Sequence, residues 1–161
     1  MRTRFAISAA VVAAMTLGLA AATALPGPAA RADQVFHTAH FPLHPVGSEP
    51  LRSGFVENAH SNGPTIFAYE EYVLNGAQPA TTYQVTLNIF VRDPTCSGSV
   101  GVMFPTAVIT TNTAGNGSGD AFFTPSGVPA VLRNATHGII YTVSDSSGVE
   151  YSSGCVVVTL D

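Results

Sequence analysis

From residue 54 onward, apolar and polar residues alternate with a period of two, in short runs broken by Gly, Asn, Pro and Ser. The cleanest run is 82–91, TYQVTLNIFV. Tyr83, Val85, Leu87, Ile89 and Val91 fall on one side, and Gln84, Thr86 and Asn88 on the other, with Phe90 the exception. Successive side chains of a strand point to opposite faces, so this period with one polar side predicts a half-buried strand. Ile139, Tyr141 and Val143 repeat the pattern. Further β-rich runs at 54–60, 65–74, 102–111, 120–124, 138–145 and 150–160 make about seven strands in all. They stop at residues that suit turns: Asn62-Gly63-Pro64, Asn75-Gly76, Asp93-Pro94 and Ser146-Ser147-Gly148. No helical period runs through this part of the chain. The pattern predicts an all-β fold, an antiparallel sandwich or barrel. The last two runs predict a hairpin. Val156, Val157 and Val158 in a row predict a final strand covered on both faces.

The first thirty-two residues read differently. Arg2 and Arg4 precede an apolar run from Phe5 to Leu25; Pro26 and Pro28 break it, and Ala30-Arg31-Ala32 follows. A basic start, an apolar stretch and an A-x-A site describe a signal peptide, cleaved after Ala32. The run approaches membrane-spanning length, but the prolines and the A-x-A favour cleavage over an anchor. The predicted organisation is a signal peptide at 1–32, a polar, Pro-rich segment at 33–48 and a β-sandwich domain at 49–161, in a secreted, extracellular protein.

Processing changes the charge. The mature part keeps Arg52, Arg92 and Arg133 against all ten acids, a net −7, and the chain has no lysine. Such a surface repels phosphate backbones and anionic lipid, so neither nucleic acid nor a membrane is an expected partner. The two cysteines, Cys96 and Cys155, both lie in the exported part and form no C-x-x-C. In an oxidising compartment such a pair predicts a disulfide, with the chain near Cys96 beside the last strand.

LNGAQPATTYQV, residues 74–85, resembles the L-x-G-L-x-P-x-T-x-Y-x-V corner of fibronectin type III and related immunoglobulin-like domains. Leu74, Gly76, Pro79, Thr81, Tyr83 and Val85 carry the match. The resemblance implies an immunoglobulin-like sandwich in which the Tyr83 hydroxyl bonds to the backbone just upstream and pins a crossover. Val85 stands where antibody domains have a cysteine, and only about forty mature residues precede the corner, so the family's strand order does not carry over. TNTAGNG at 111–117, with a Cys-bearing last strand, is also similar to small secreted bacterial proteins, as is the Ala-rich, Lys-free composition.

Candidate chemistry begins with VFHTAHFPLHP, which places His37, His40 and His44 within eight positions. Imidazole is a common ligand for zinc and copper. A helix would bring the three together, but Pro42 and Pro45 forbid one. An extended chain puts His40 and His44 on one face and His37 on the other. The competing reading is an exposed N-terminal strand; as a metal site, the tail could wrap a Cu(II) ion with the amino group of Asp33, and His60 or His137 could add a ligand from the folded body. TNTAGNGSGD at 111–120 offers calcium Asn112, Asn116 and Asp120, only one of them a carboxylate, and reads better as a Gly-rich loop. Glu70 and Glu71 are adjacent, so on a strand they face opposite ways and cannot share a substrate. A pairing of Glu57 with Glu70 stays open. No G-x-S-x-G is present. Asn116 and Asn134 stand in glycosylation sequons, which matter only in a host with that machinery. In IFAYEEY, Phe67 and Tyr69 are expected in the core. The sequence therefore points to a secreted, non-enzymatic sandwich with a binding or structural role, needing no cofactor and facing an extracellular protein or glycan. The alternative is a copper- or zinc-binding protein using the N-terminal histidines.

Overall fold

The computed structural model describes residues 37–60 and 66–160. The expected signal peptide and cleavage site and the expected turn at Asn62-Gly63-Pro64 lie outside the described residues. The described chain forms ten strands: β1 (His37–Pro42), β2 (His44–Pro45), β3 (Ser53–His60), β4 (Ala68–Asn75), β5 (Thr82–Phe90), β6 (Val102–Thr110), β7 (Gly117–Phe123), β8 (Ala135–Ser144), β9 (Val149–Ser152) and β10 (Val156–Leu160). A single 3₁₀ turn covers Ala130–Leu132. Each of the seven expected runs forms a strand, with the last divided into β9 and β10. The N-terminal segment contributes β1 and β2.

The strands make an all-β, antiparallel sandwich. One sheet has the order β1-β3-β4-β7; the other runs β2-β9-β8-β5-β6, with β10 also paired to β8. Every pairing is antiparallel. The chain switches sheets at Leu43, between β1 and β2. The Leu43 N–H donates to the Gly54 carbonyl at 2.8 Å, and its side chain is buried. The described part of the N-terminal segment, residues 37–48, thus contributes to both sheets.

The alternation read from the sequence builds the core. Tyr83, Val85, Leu87 and Ile89 of β5 are buried with Ile139, Tyr141 and Val143 of β8, against Val56 of β3 and Tyr72 and Leu74 of β4. Burying side chains of this size supplies most of the favourable free energy of such a domain. The hairpin from β8 to β9 forms as expected, with Asp145 N–H donating to the Gly148 carbonyl at 3.0 Å.

Two expectations are corrected. The final strand is not covered on both faces: β10 pairs only with β8, and Val157 is 56% exposed. The three-valine run reflects β propensity on an edge strand rather than double burial. On β4 the inward face is Ala68, Glu70, Tyr72 and Leu74, so Tyr69 points outward while Phe67, just before the strand, is buried. The apolar weight of Tyr72 and Leu74 sets the register, and Glu70 follows it into the core.

The Cys96–Cys155 disulfide forms, with Cα atoms 5.9 Å apart. It joins the turn after β5 to the short link between β9 and β10. Gly138 of β8 makes room for that turn: a Cβ there would lie 2.3 Å from the Asp93 carbonyl oxygen and 2.6 Å from Cys96 Sγ.

Candidate functional site

The outer face of the four-stranded sheet carries a row of ionisable side chains fixed by strand register. His40 on β1 stands opposite Glu57 on β3, Glu57 opposite Glu71 on β4, and Glu71 opposite Asp120 on β7. Directly opposed residues on one face have Cβ atoms about 5 Å apart. Three carboxylates therefore form a ladder across the sheet, and no arginine stands in that row. His40 closes one end: its Nδ1 lies 3.0 Å from Glu57 Oε2, and its ring packs on Phe55 at 4.5 Å. The opposed pairs Glu57–Glu71 and Glu71–Asp120 bring like charges together and cost stability.

An aromatic pair flanks the ladder. Tyr69 and Phe122 are register partners, their ring centroids 4.8 Å apart, and Phe122 is 61% exposed. The Tyr69 hydroxyl is held above its ordinary value by desolvation and by the negative charges of Glu71 and Asp120. That response places the ring within the field of the carboxylates.

Behind this face, Glu70 enters the interior. It is 2% exposed and accepts three hydrogen bonds. Asn58 Nδ2 donates to Oε1 at 2.8 Å, the Tyr141 hydroxyl donates to the same oxygen at 2.6 Å, and the Tyr72 hydroxyl donates to Oε2. Asn58 Oδ1 in turn lies 3.0 Å from His60 Nδ1. Burial pushes the Glu70 carboxyl up, against the three donors that favour its ionised form. Beside it lies a cavity of about 30 Å³ lined by Asn58, Glu70, Phe67, Phe104, Phe123 and Leu132, among others. That is the size of a water site rather than of an organic ligand.

The other predicted residues are placed as follows. His37 and His40 lie on β1 and His44 on β2, in different sheets. The His37 backbone pairs with His60. Among the described residues no group of three His, Cys, Asp or Glu converges on a metal-binding geometry. His137 is fully buried with both ring nitrogens engaged: Nδ1 accepts the Arg92 N–H at 3.0 Å, and Nε2 lies 3.0 Å from the Leu132 carbonyl, to which it donates. Asn112 and Asn116 shape their loop. Asn112 Oδ1 accepts the N–H groups of Ala114 and Asn116, and Asn116 Oδ1 accepts that of Gly76. Gly115 sits at φ +76° against the Ala77 backbone, where a side chain has no room. The Gly-rich stretch is thus a fitted loop.

Tyr83 is buried, but its hydroxyl meets Tyr151 of β9 at 3.4 Å instead of the upstream backbone. Tyr151 makes the link to main chain, donating to the Pro50 carbonyl at 3.0 Å. The corner is held through a tyrosine of β9, which β8 separates from β5. Glu57 and Glu70 lie on opposite faces of their sheet, so they do not pair.

No protein-family model, curated protein or solved structure matches the chain. Sequence reasoning missed the ladder because its acids are far apart at 57, 71 and 120, and only strand register aligns them. The burial of Glu70 carried a signal: it alternates in phase with Ala68, Tyr72 and Leu74.

Proposed function

We propose that this chain is a secreted, non-enzymatic, immunoglobulin-like sandwich module that binds an extracellular protein through the outer face of its β1-β3-β4-β7 sheet. The observation that supports this reading is the in-register ladder Glu57–Glu71–Asp120. Opposed carboxylates cost stability, and an acidic row with no arginine in it presents charge to a partner. Tyr69 and Phe122 add a flat aromatic surface beside it. Together they suit lysine or arginine side chains: the charged head meets the carboxylates, and the stem or guanidinium plane lies on the rings. The partner is thus a basic segment of an extracellular protein.

The test is isothermal calorimetry against a panel of short peptides, Arg-rich, Lys-rich and neutral, at low and physiological salt. Saturable binding of a basic peptide, lost in the Glu71→Gln/Asp120→Asn double variant and weakened by Phe122→Ala, supports the assignment. Equal binding by wild type and double variant, or none by any basic peptide, overturns it.

A further inference from the structure

Glu70 is a carboxyl group placed between two packed sheets, and among the described residues its hydrogen-bond partners are an amide and two phenols. The groups that face it are Asn58 on β3, Tyr72 on β4 and Tyr141 on β8. His60 touches Asn58, and Phe41 of β1 stacks on Tyr141. None of these is an arginine. The bond from Tyr141 to Glu70 crosses from one sheet to the other through the middle of the core.

With Glu70 ionised, its oxygens accept from Asn58, Tyr141 and Tyr72. With Glu70 neutral, Oε2 becomes a donor toward the Tyr72 hydroxyl while Oε1 keeps both of its bonds, so the carboxyl stays hydrogen-bonded in either form. What separates the two states is the charge itself, which the apolar surroundings disfavour.

We propose that Glu70 is a proton-binding site built into the folded core, through which the joining of the two sheets is strengthened in acid and weakened in base. The direction follows from linkage. In the unfolded chain Glu70 loses its proton near the ordinary glutamate value of 4.5; in the fold, burial holds the proton to higher pH. The native state then binds more protons than the unfolded one across that interval. The contribution is fully present below the unfolded value and is lost as pH rises to the folded one.

The experiment is urea unfolding of the disulfide-intact wild type and of Glu70→Gln from pH 4.5 to 9. The glutamine copies the neutral state and cannot titrate. Both chains carry His60→Gln as well in a parallel series, so that the imidazole linked to Glu70 through Asn58 does not contribute to their ratio. The folding constant of the wild type is expected to fall relative to the variant by up to about tenfold per pH unit, then level off. A ratio that stays constant across the range overturns the proposal. Should Glu70→Gln fail to fold, the wild-type Glu70 carboxyl is followed by carbon-13 NMR. A midpoint above the ordinary glutamate range supports the site, and one at or below it overturns it.

Discussion

Glu71→Gln is expected to stabilise the protein, the reverse of what removing a surface charge in a favourable pair would do. Glu71 is opposed on one side by Glu57 and on the other by Asp120. A cross-strand pair of like charges costs from about 0.2 to 1 kcal/mol. Glutamine relieves both repulsions with nearly the same shape, and Glu71 is exposed, so solvent screening keeps each pair toward the lower end of that range. The expected gain is therefore about 0.5–1 kcal/mol in low-salt buffer, measured by urea unfolding at constant m-value. Because acids outnumber arginines and the chain has no lysine, removing any acid relieves some general repulsion. Glu49→Gln, outside the ladder, measures that background. The Debye length falls from about 30 Å at 0.01 M salt to about 3 Å at 1 M, so the excess of Glu71→Gln over Glu49→Gln should vanish in 1 M NaCl. An equal gain from both substitutions, or a loss of stability in Glu71→Gln, refutes the claim that the ladder is a stability cost retained for another purpose.

Reducing the Cys96–Cys155 bond, whose partners are 59 residues apart, should cost roughly 4 kcal/mol by the chain-entropy argument, read from urea midpoints with and without reductant. Gly138→Ala forces a methyl group against the Asp93 carbonyl and Cys96 and should cost at least about 2 kcal/mol; an unchanged midpoint would show that the turn moves aside freely. Tyr151→Phe should cost about 1–2 kcal/mol and Tyr83→Phe less, since only Tyr151 holds the Pro50 carbonyl; the opposite ranking would restore Tyr83 as the corner's anchor. Copper and zinc titrations by calorimetry should give no saturable heat at micromolar metal, because His40 is engaged with Glu57 and His44 lies in the other sheet; heat that disappears in His40→Ala/His44→Ala would establish the alternative metal-binding reading.

The strands were legible because their cause is local. A period of two on Tyr83–Ile89 and Ile139–Val143 states which side of a strand is buried, and the chain's two cysteines, without a C-x-x-C, could be expected to pair. Other features depend on which strand lies beside which. Nothing in the neighbourhood of Tyr83 indicates that Tyr151, far along the chain, will meet its hydroxyl. Val156–Val158 looks internal until β10 is seen to have one neighbour. The ladder is the clearest case, since each acid taken alone is an ordinary exposed residue, and register alone gives the row its meaning.

Glu70 and Glu71 show how one strand assigns identical chemistry to two jobs. They share the backbone of β4, and the pleat sends one carboxyl into the core and the other to the surface. Glu71 interacts through water with neighbours of its own sign, so its effect is weak and screened by salt. Glu70 interacts through a medium that screens little, so its effect is strong in pH and nearly blind to salt. The two therefore separate by condition even though they adjoin in sequence. A salt series at fixed pH reports on the ladder, and a pH series at high salt reports on the core. The ladder lies outside the apolar core and the disulfide, whereas Glu70 reaches into that core through Tyr141 of β8, so only Glu70 acts on the joining of the sheets.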